Sequence, residues 1–309
     1  MNSTSLSIPE EYQFVDSNKS STVIFLTVIL FFTIIENLYL LYKSITSDTF
    51  ERRPLLRNAV ICLTLAYIVT STVHLLPNII YFYGYIFITK INIKLCSTVQ
   101  LFGYIIQNTI YLIHFMFALI RYVVIVEERK IKICRAYLIG GLLLFPVFYY
   151  GISTITTDKI TYLKDEICVY KIRATSNHIY HIKILLYSIS FTLPLLAFSC
   201  SLLIIVKLTR KSKECIFKHE IKKQKQVCVT IAISSLCPLI FELPFLYFFV
   251  LSHSAKQFPH IGYRITFLLN FLSYSLSLMI SLLFLKDMRQ MFYNDFGLKQ
   301  YAPINRIQL

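Results

Sequence analysis

The sequence predicts an all-α membrane protein built as a bundle of seven transmembrane helices. Three observations predict it. Hydrophobic residues make up 56% of the 309 positions, charged residues only 15%, and the mean hydropathy is +0.62. Soluble domains carry about a quarter charged residues. Seven apolar stretches, at about 22–43, 58–84, 96–125, 136–155, 181–207, 226–251 and 262–285, are each long enough to cross a bilayer, for which roughly 20 residues suffice. Lysine and arginine are distributed unevenly between the two sets of connecting loops.

The first segment follows a polar tail, 1–21, that lacks the apolar core of a cleavable signal, so the first helix is expected to direct insertion. With the N-terminus outside, the inner loops and the tail after 285 carry 21 Lys and Arg against 8 acids. The outer segments then carry 10 against 6, with Glu36 and Glu242 left inside spans. Cationic residues concentrate on the cytoplasmic side of membrane proteins. The expected topology is therefore N-out and C-in, with the receptor body at 22–285 and a short amphipathic helix and tail at 286–309. The same topology explains a net charge of +15 without any need for nucleic acid. Asn2 and Asn18 open Asn-x-Ser/Thr triplets on the outer side, where glycosylation is possible.

The eight cysteines divide by this topology. Cys62, Cys200, Cys228 and Cys237 lie in spans, and Cys134 and Cys215 lie in inner loops. Cys96 and Cys168 alone face the oxidising side, so they are expected to pair, two free thiols being the alternative. Between spans four and five, "KITYLKDEICVYKI" alternates with the period of a strand. The inner loop "KLTRKSKECIFKHEIKKQKQ" is basic, suited to anionic lipid and to a cytoplasmic partner.

The third span ends in "FALIRYVVI". Arg121 stands 25 residues after Cys96, a helical rise of about 37 Å, from one membrane face to the other. This cysteine-to-arginine spacing resembles that of rhodopsin-like G-protein-coupled receptors, whose third helix ends in Asp-Arg-Tyr; here the triplet is Ile120-Arg121-Tyr122. Asn37 in "IENLYLL", Pro77, Pro146, "FTLP" with Phe191 and Pro194, and "FELPF" with Pro244 are further similarities. So is "FLKDMRQMFYNDF" after the seventh span, with Met288, Met291, Phe292 and Phe296 placed to lie along the inner interface. "FALIRYVVI", the sixth span with Glu-Leu-Pro, and the seventh span with its exit are similar to the nematode Srw chemoreceptors, which are related to FMRFamide-type and myosuppressin-type peptide receptors.

The resemblance implies a plasma-membrane receptor that passes an extracellular peptide or small-molecule signal to a heterotrimeric G protein, with Arg121 and Tyr122 at the coupling end. The chain departs from the family pattern in three places. The second-helix acid is replaced by Ile68 or Tyr67, the fourth span has no Trp, and "SLSLMISLLF" stands where Asn-Pro-x-x-Tyr is usual. Arg121 also lacks an adjacent acid; Glu127, Glu128 or Glu220 could take that part.

A ligand site between helices is expected to combine apolar walls with a few polar groups. The third span offers Tyr104, Gln107, Asn108 and Tyr111 at helical spacing beside Gly103. The sixth offers Glu242, Phe245 and Phe249, and the seventh offers Arg264, Phe267, Asn270 and Tyr274. An acid in mid-span is costly and is a functional candidate by default, so Glu242 stands out, with a helix–helix hydrogen bond as the alternative. Glu36, His74 and His114 read as structural. No nucleotide loop, metal-ligand spacing or nucleophile motif is present, so neither an enzyme nor a cofactor is expected. The seventh span contains no lysine for a retinal Schiff base. The competing readings are a chemosensory receptor, a neuropeptide receptor of FMRFamide type and a seven-helix protein that does not signal.

Overall fold

The computed structural model describes residues 12–13, 20–51, 54–128, 133–156, 160–162, 170–172, 177–214, 224–230, 260–284 and 286–297, with separate positions between 232 and 247. Strand β1 (Tyr12–Gln13) precedes α1 (Ser20–Thr46), a one-turn α2 (Asp48–Glu51) and α3 (Pro54–Ile86). Strand β2 (Ile91–Asn92) leads into α4 (Ile93–Ile125), followed by α5 (Ile133–Thr156). Strands β3 (Ile160–Tyr162) and β4 (Tyr170–Ile172) separate α5 from α6 (Asn177–Glu214). Helix α7 is described at 224–230 and at separate positions to 247; α8 (His260–Phe284) and α9 (Lys286–Asp295) follow.

Among the described residues, four helices are long and apolar enough to cross a membrane: those of the first, second, third and fifth predicted spans. Their outer surfaces remain apolar, with Phe25, Phe31, Ile79, Phe102 and Leu203 all exposed. Such a surface suits lipid, in which every backbone polar group must be satisfied within the helix. Side-chain hydroxyls follow the same rule. Thr27, Thr33, Thr64, Thr72, Ser201 and Thr209 each donate to the carbonyl four residues earlier. Pro77, Pro146 and Pro194 lie inside α3, α5 and α6 rather than at their ends. Membrane helices tolerate proline where neighbouring helices cover the freed carbonyl.

The segment between the fourth and fifth spans that alternates like a strand forms an antiparallel hairpin, with Ile160 opposite Ile172 and Tyr162 opposite Tyr170. A second ribbon was not foreseen. Tyr12 of the N-terminal tail pairs with Asn92, and Gln13 pairs with Ile91. Asn92 also caps α4, its side chain accepting from the Leu95 amide at 2.8 Å. The tail is thereby joined to the start of the central helix.

Among the described residues, the largest core cluster lies between α1, α3, α4 and α8: Leu26, Leu30, Tyr67, Ile110, Phe267, Phe271 and Tyr274. A second joins α4 to α6 through Tyr111, Leu112 and Leu193. Helix α9 does more than line an interface. Met288 is buried with Leu40 and Phe50, and Phe292 and Phe296 lie against the Tyr39 ring. The Asp295 carboxylate accepts from the Tyr39 hydroxyl at 2.7 Å and from Lys43 Nζ at 2.8 Å. The apolar face read as membrane-directed thus covers α1 and α2 for at least part of its area.

Candidate functional site

Helix α4 carries candidate site residues at both ends and along its middle. At its start Cys96 is fully buried and disulfide-bonded. Its expected partner, Cys168, lies outside the described residues, as do Asn2, Asn18, Glu220, Glu242, Phe245 and Phe249. Cys62, Cys200 and Cys228 are free thiols.

At the other end, Arg121 and Tyr122 are half-buried. Tyr122 and Ile125 pack against Ile204, Leu208 and Cys228, so the ends of α4, α6 and α7 meet there. Arg121 makes no ion pair with any described residue. It lies near enough to Cys228 of α7 for its charge to act on that thiol. The suggestion that Glu128 pairs with Arg121 is corrected. Glu128 is bound by α6 instead, at 3.2 Å from Lys211 and 3.4 Å from Lys207. These two ammonium groups, Lys211 first, hold its carboxyl below the usual carboxylate range. Lys207 also donates to the Val126 carbonyl at 2.5 Å, placing a cation at the C-terminus of α4. Glu127 is exposed and forms no ion pair among the described residues.

Midway along α4 the predicted polar stripe divides. Gln107 and Tyr111 are buried together, the Gln107 amide donating to the Tyr111 hydroxyl at 2.9 Å. Asn108 turns toward α6. Its amide donates to the Tyr104 carbonyl, and its oxygen accepts a short hydrogen bond from Ser190. Asn108 therefore ties α4 to α6, and its acceptor is already occupied. On α8, Phe267, Asn270, Phe271 and Tyr274 all face the core, while Arg264 is half-buried and engaged in a contact of its own.

The two histidines read as structural are both buried in the bundle. The His74 ring is buried edge-on between Phe271, at a centroid distance of 4.6 Å, and Tyr104, at 5.7 Å. Deeper in the bundle Tyr67 shares a 3.0 Å hydrogen bond with His114 Nε2, and the Tyr274 ring lies 5.4 Å from Tyr67. Of the two residues aligned with the family's second-helix acid, Tyr67 is the one that faces the core; Ile68 is partly exposed. The signal that could have found His74 is Gly103. Helical rotation puts a residue without a side chain opposite a ring that needs its room.

No protein-family model matches the chain, and no curated protein matches its sequence. Among solved structures, squid rhodopsin is similar, with a TM-score of 0.68 at 15% sequence identity, covering 93% of this chain and 88% of that one. An agreement of that extent, together with the apolar helices, establishes the architecture: the chain has the seven-helix membrane fold of the rhodopsin type.

Proposed function

We propose that this chain is a G-protein-coupled receptor of chemosensory type, placed in the plasma membrane with its N-terminus outside. It receives an extracellular ligand and acts on a heterotrimeric G protein through Arg121 and Tyr122. The observation that carries this reading is Arg121 itself. It ends the same helix that begins at a disulfide-bonded cysteine, beside α6 and α7, and it has no ion-pair partner among the described residues. A cation at a membrane edge is costly and is kept for a task. With no ion-pair partner among the described residues, it is available to one from outside the chain. The similarity of "FALIRYVVI" and the Glu-Leu-Pro sixth span to the Srw chemoreceptors supports the chemosensory assignment.

In this reading Cys168 is the partner of Cys96, and Asn2 and Asn18 carry glycans. The β3–β4 hairpin forms an outer lid, to which β1–β2 adds a second strand pair. Tyr104, Gln107, Phe267, Asn270 and Tyr274 line the ligand region, with Glu242, Phe245, Phe249 and Arg264 contributing from α7 and α8. A neuropeptide of FMRFamide type is the second reading. The two strand ribbons favour it, since an extended peptide pairs readily with short strands.

The test is basal G-protein activation in cells expressing the full chain with an outer epitope tag, wild type against Arg121→Ala, at matched surface levels. The reading expects a basal signal that falls on substitution. A signal unaffected by Arg121→Ala would overturn the assigned role of the arginine. Silence of both forms through a peptide and odorant screen would favour a seven-helix protein that does not signal.

A further inference from the structure

We propose that the turn ending α3 is a membrane anchor: Tyr83, Phe87 and Ile88 seat in the boundary between headgroups and acyl chains, in the leaflet on the side of the N-terminal tail. The anchor needs only the membrane fold and is independent of the signalling role.

The backbone of this turn does not suit its residue. The Thr89 amide reaches back to the Gly84 carbonyl at 3.1 Å, closing the end of α3 in the manner of a Schellman cap. Such a cap places a left-handed residue just before the closing amide, and glycine usually fills that position. Here it is Ile88, at φ 51°. A β-branched side chain is strained in that conformation. Ile88 is also 79% exposed, so contacts within the chain do little to offset the strain. An isoleucine that strains its backbone and is left bare by the fold gains from contact outside the chain.

The surrounding surface identifies that contact as lipid. Val69, Leu76, Ile79, Tyr83 and Phe87 recur at helical spacing and are all exposed, forming one apolar stripe along α3. Helix α3 is among those long and apolar enough to cross a membrane, so the stripe faces lipid along its length. It runs into the turn without a charged residue between 69 and 88. The Tyr83 and Phe87 rings meet there at a centroid distance of 4.8 Å, while Tyr81, on the other face of the helix, is fully buried.

Length sets the depth. From Arg57 to Ile86 the helix has 30 residues. That is roughly 45 Å, against about 30 Å for a hydrocarbon core and about 40–45 Å with both headgroup layers. With Arg57 held at the opposite face by its charge, the last turn of α3 reaches the headgroup layer. Aromatic side chains favour that layer, and apolar ones gain by leaving water for its inner edge. Strand β2 begins at Ile91, just beyond the turn, and pairs with β1. The anchor thereby holds this ribbon, and the tail with it, at the bilayer surface.

The chain contains no tryptophan, so a single introduced one is the sole indole emitter. Phe87→Trp and Tyr83→Trp, each in the full chain in phosphatidylcholine vesicles, report on the turn. Val69→Trp, nearer the middle of the same stripe, reports on the hydrocarbon core. Emission is read with lipids brominated near the headgroup, with lipids brominated near the chain end, and with aqueous iodide. Both turn reporters should emit to the blue of tryptophan in water, with stronger quenching by the shallow bromines than by the deep ones and weak quenching by iodide. Val69→Trp should reverse the order of the two bromines. Asparagine tolerates the left-handed conformation, so Ile88→Asn should keep the turn, shift the Phe87→Trp emission to the red and raise its iodide quenching. Water-like emission with strong iodide quenching in both turn reporters would overturn the proposal by placing the turn in solution. Protection from iodide and from both bromines would overturn it by giving this surface to a protein. The readout needs no G protein, and Arg121→Ala should leave it unchanged, so its failure is separable from failure of the signalling role.

Discussion

The Tyr67 hydroxyl and Nε2 of His114 lie 3.0 Å apart, joining α3 to α4 where both side chains are almost wholly buried. This bond occupies the stretch of α3 that, in the resemblance to rhodopsin-like receptors, stands where their second-helix acid would be. A buried neutral pair does not need the counter-ion that an acid needs, so the two solutions satisfy one interior by different chemistry. Tyr67→Phe leaves Nε2 of His114 without its partner. It should cost about 1–3 kcal/mol, the penalty for one orphaned buried group. Adding His114→Phe should recover much of that loss, because both polar groups are then gone. Thermal unfolding of the two variants in nanodiscs checks this, and equal loss in the single and double variants would contradict it.

Glu128 gives a pH prediction with a definite sign. Lys211 and Lys207 depress its folded-state pKa, so its contribution is present above the unfolded value and is lost as pH falls through the folded one. The α4–α6 contact should therefore be insensitive to pH around neutrality and should loosen only below the ordinary carboxylate range. Glu128→Gln should loosen it at every pH. Lys207 still holds the Val126 carbonyl, so the loosening is partial and centres on Lys211. Spin labels at the ends of α4 and α6 would report a broadened distance distribution. An acid-sensitive distance in Glu128→Gln would assign the effect to another group.

Asn108 distinguishes a structural residue from a ligand contact. Its oxygen is taken by Ser190 and its amide by the Tyr104 carbonyl. Ser190→Ala should destabilise the fold by about 1 kcal/mol, the usual net worth of one such bond. It should leave basal G-protein activation at matched surface level unchanged. Parallel melting and signalling measurements separate the two effects; loss of signal with unchanged stability would return Asn108 to the ligand.

The spans were legible because a bilayer imposes one length and one polarity on every helix that crosses it. The hairpin was legible because "KITYLKDEICVYKI" alternates over enough positions to set a period. The pairing of Tyr12–Gln13 with Ile91–Asn92 left no such trace, since two residues establish no period and the partners lie far apart in the chain. In the site, Gln107 and Asn270 were legible as polar residues in apolar helices. His74 was not, because its importance comes from Gly103, Tyr104 and Phe271 on two other helices. Which helix faces meet depends on rotations that a single-helix pattern does not encode. The same limit hid the pairing of Glu128 with α6, which needs the depth of α6 relative to α4 as well as the charges.

Phe50 tests whether α9 is part of the folded unit. It is 1% exposed on the one-turn α2, packed with Leu40 of α1 and Met288 of α9. Removing a buried phenyl ring costs about 3–5 kcal/mol, through lost burial and the space left behind. Phe50→Ala should approach that range if α9 is firmly docked and fall well below it if α9 lifts away easily. Asp295→Asn isolates the polar half of the same junction. Lys43 and Tyr39 hold the Asp295 carboxyl below its usual range, so the charge is present at neutral pH and is lost only in acid. Its substitution should speed amide exchange in α9 while barely moving Tm, because exposed ion pairs add little to global stability. Faster exchange in Asp295→Asn with a large loss of Tm in Phe50→Ala would establish an apolar anchor trimmed by a polar clasp. The opposite pattern, a large loss of Tm from Asp295→Asn with little from Phe50→Ala, would make the charge the anchor.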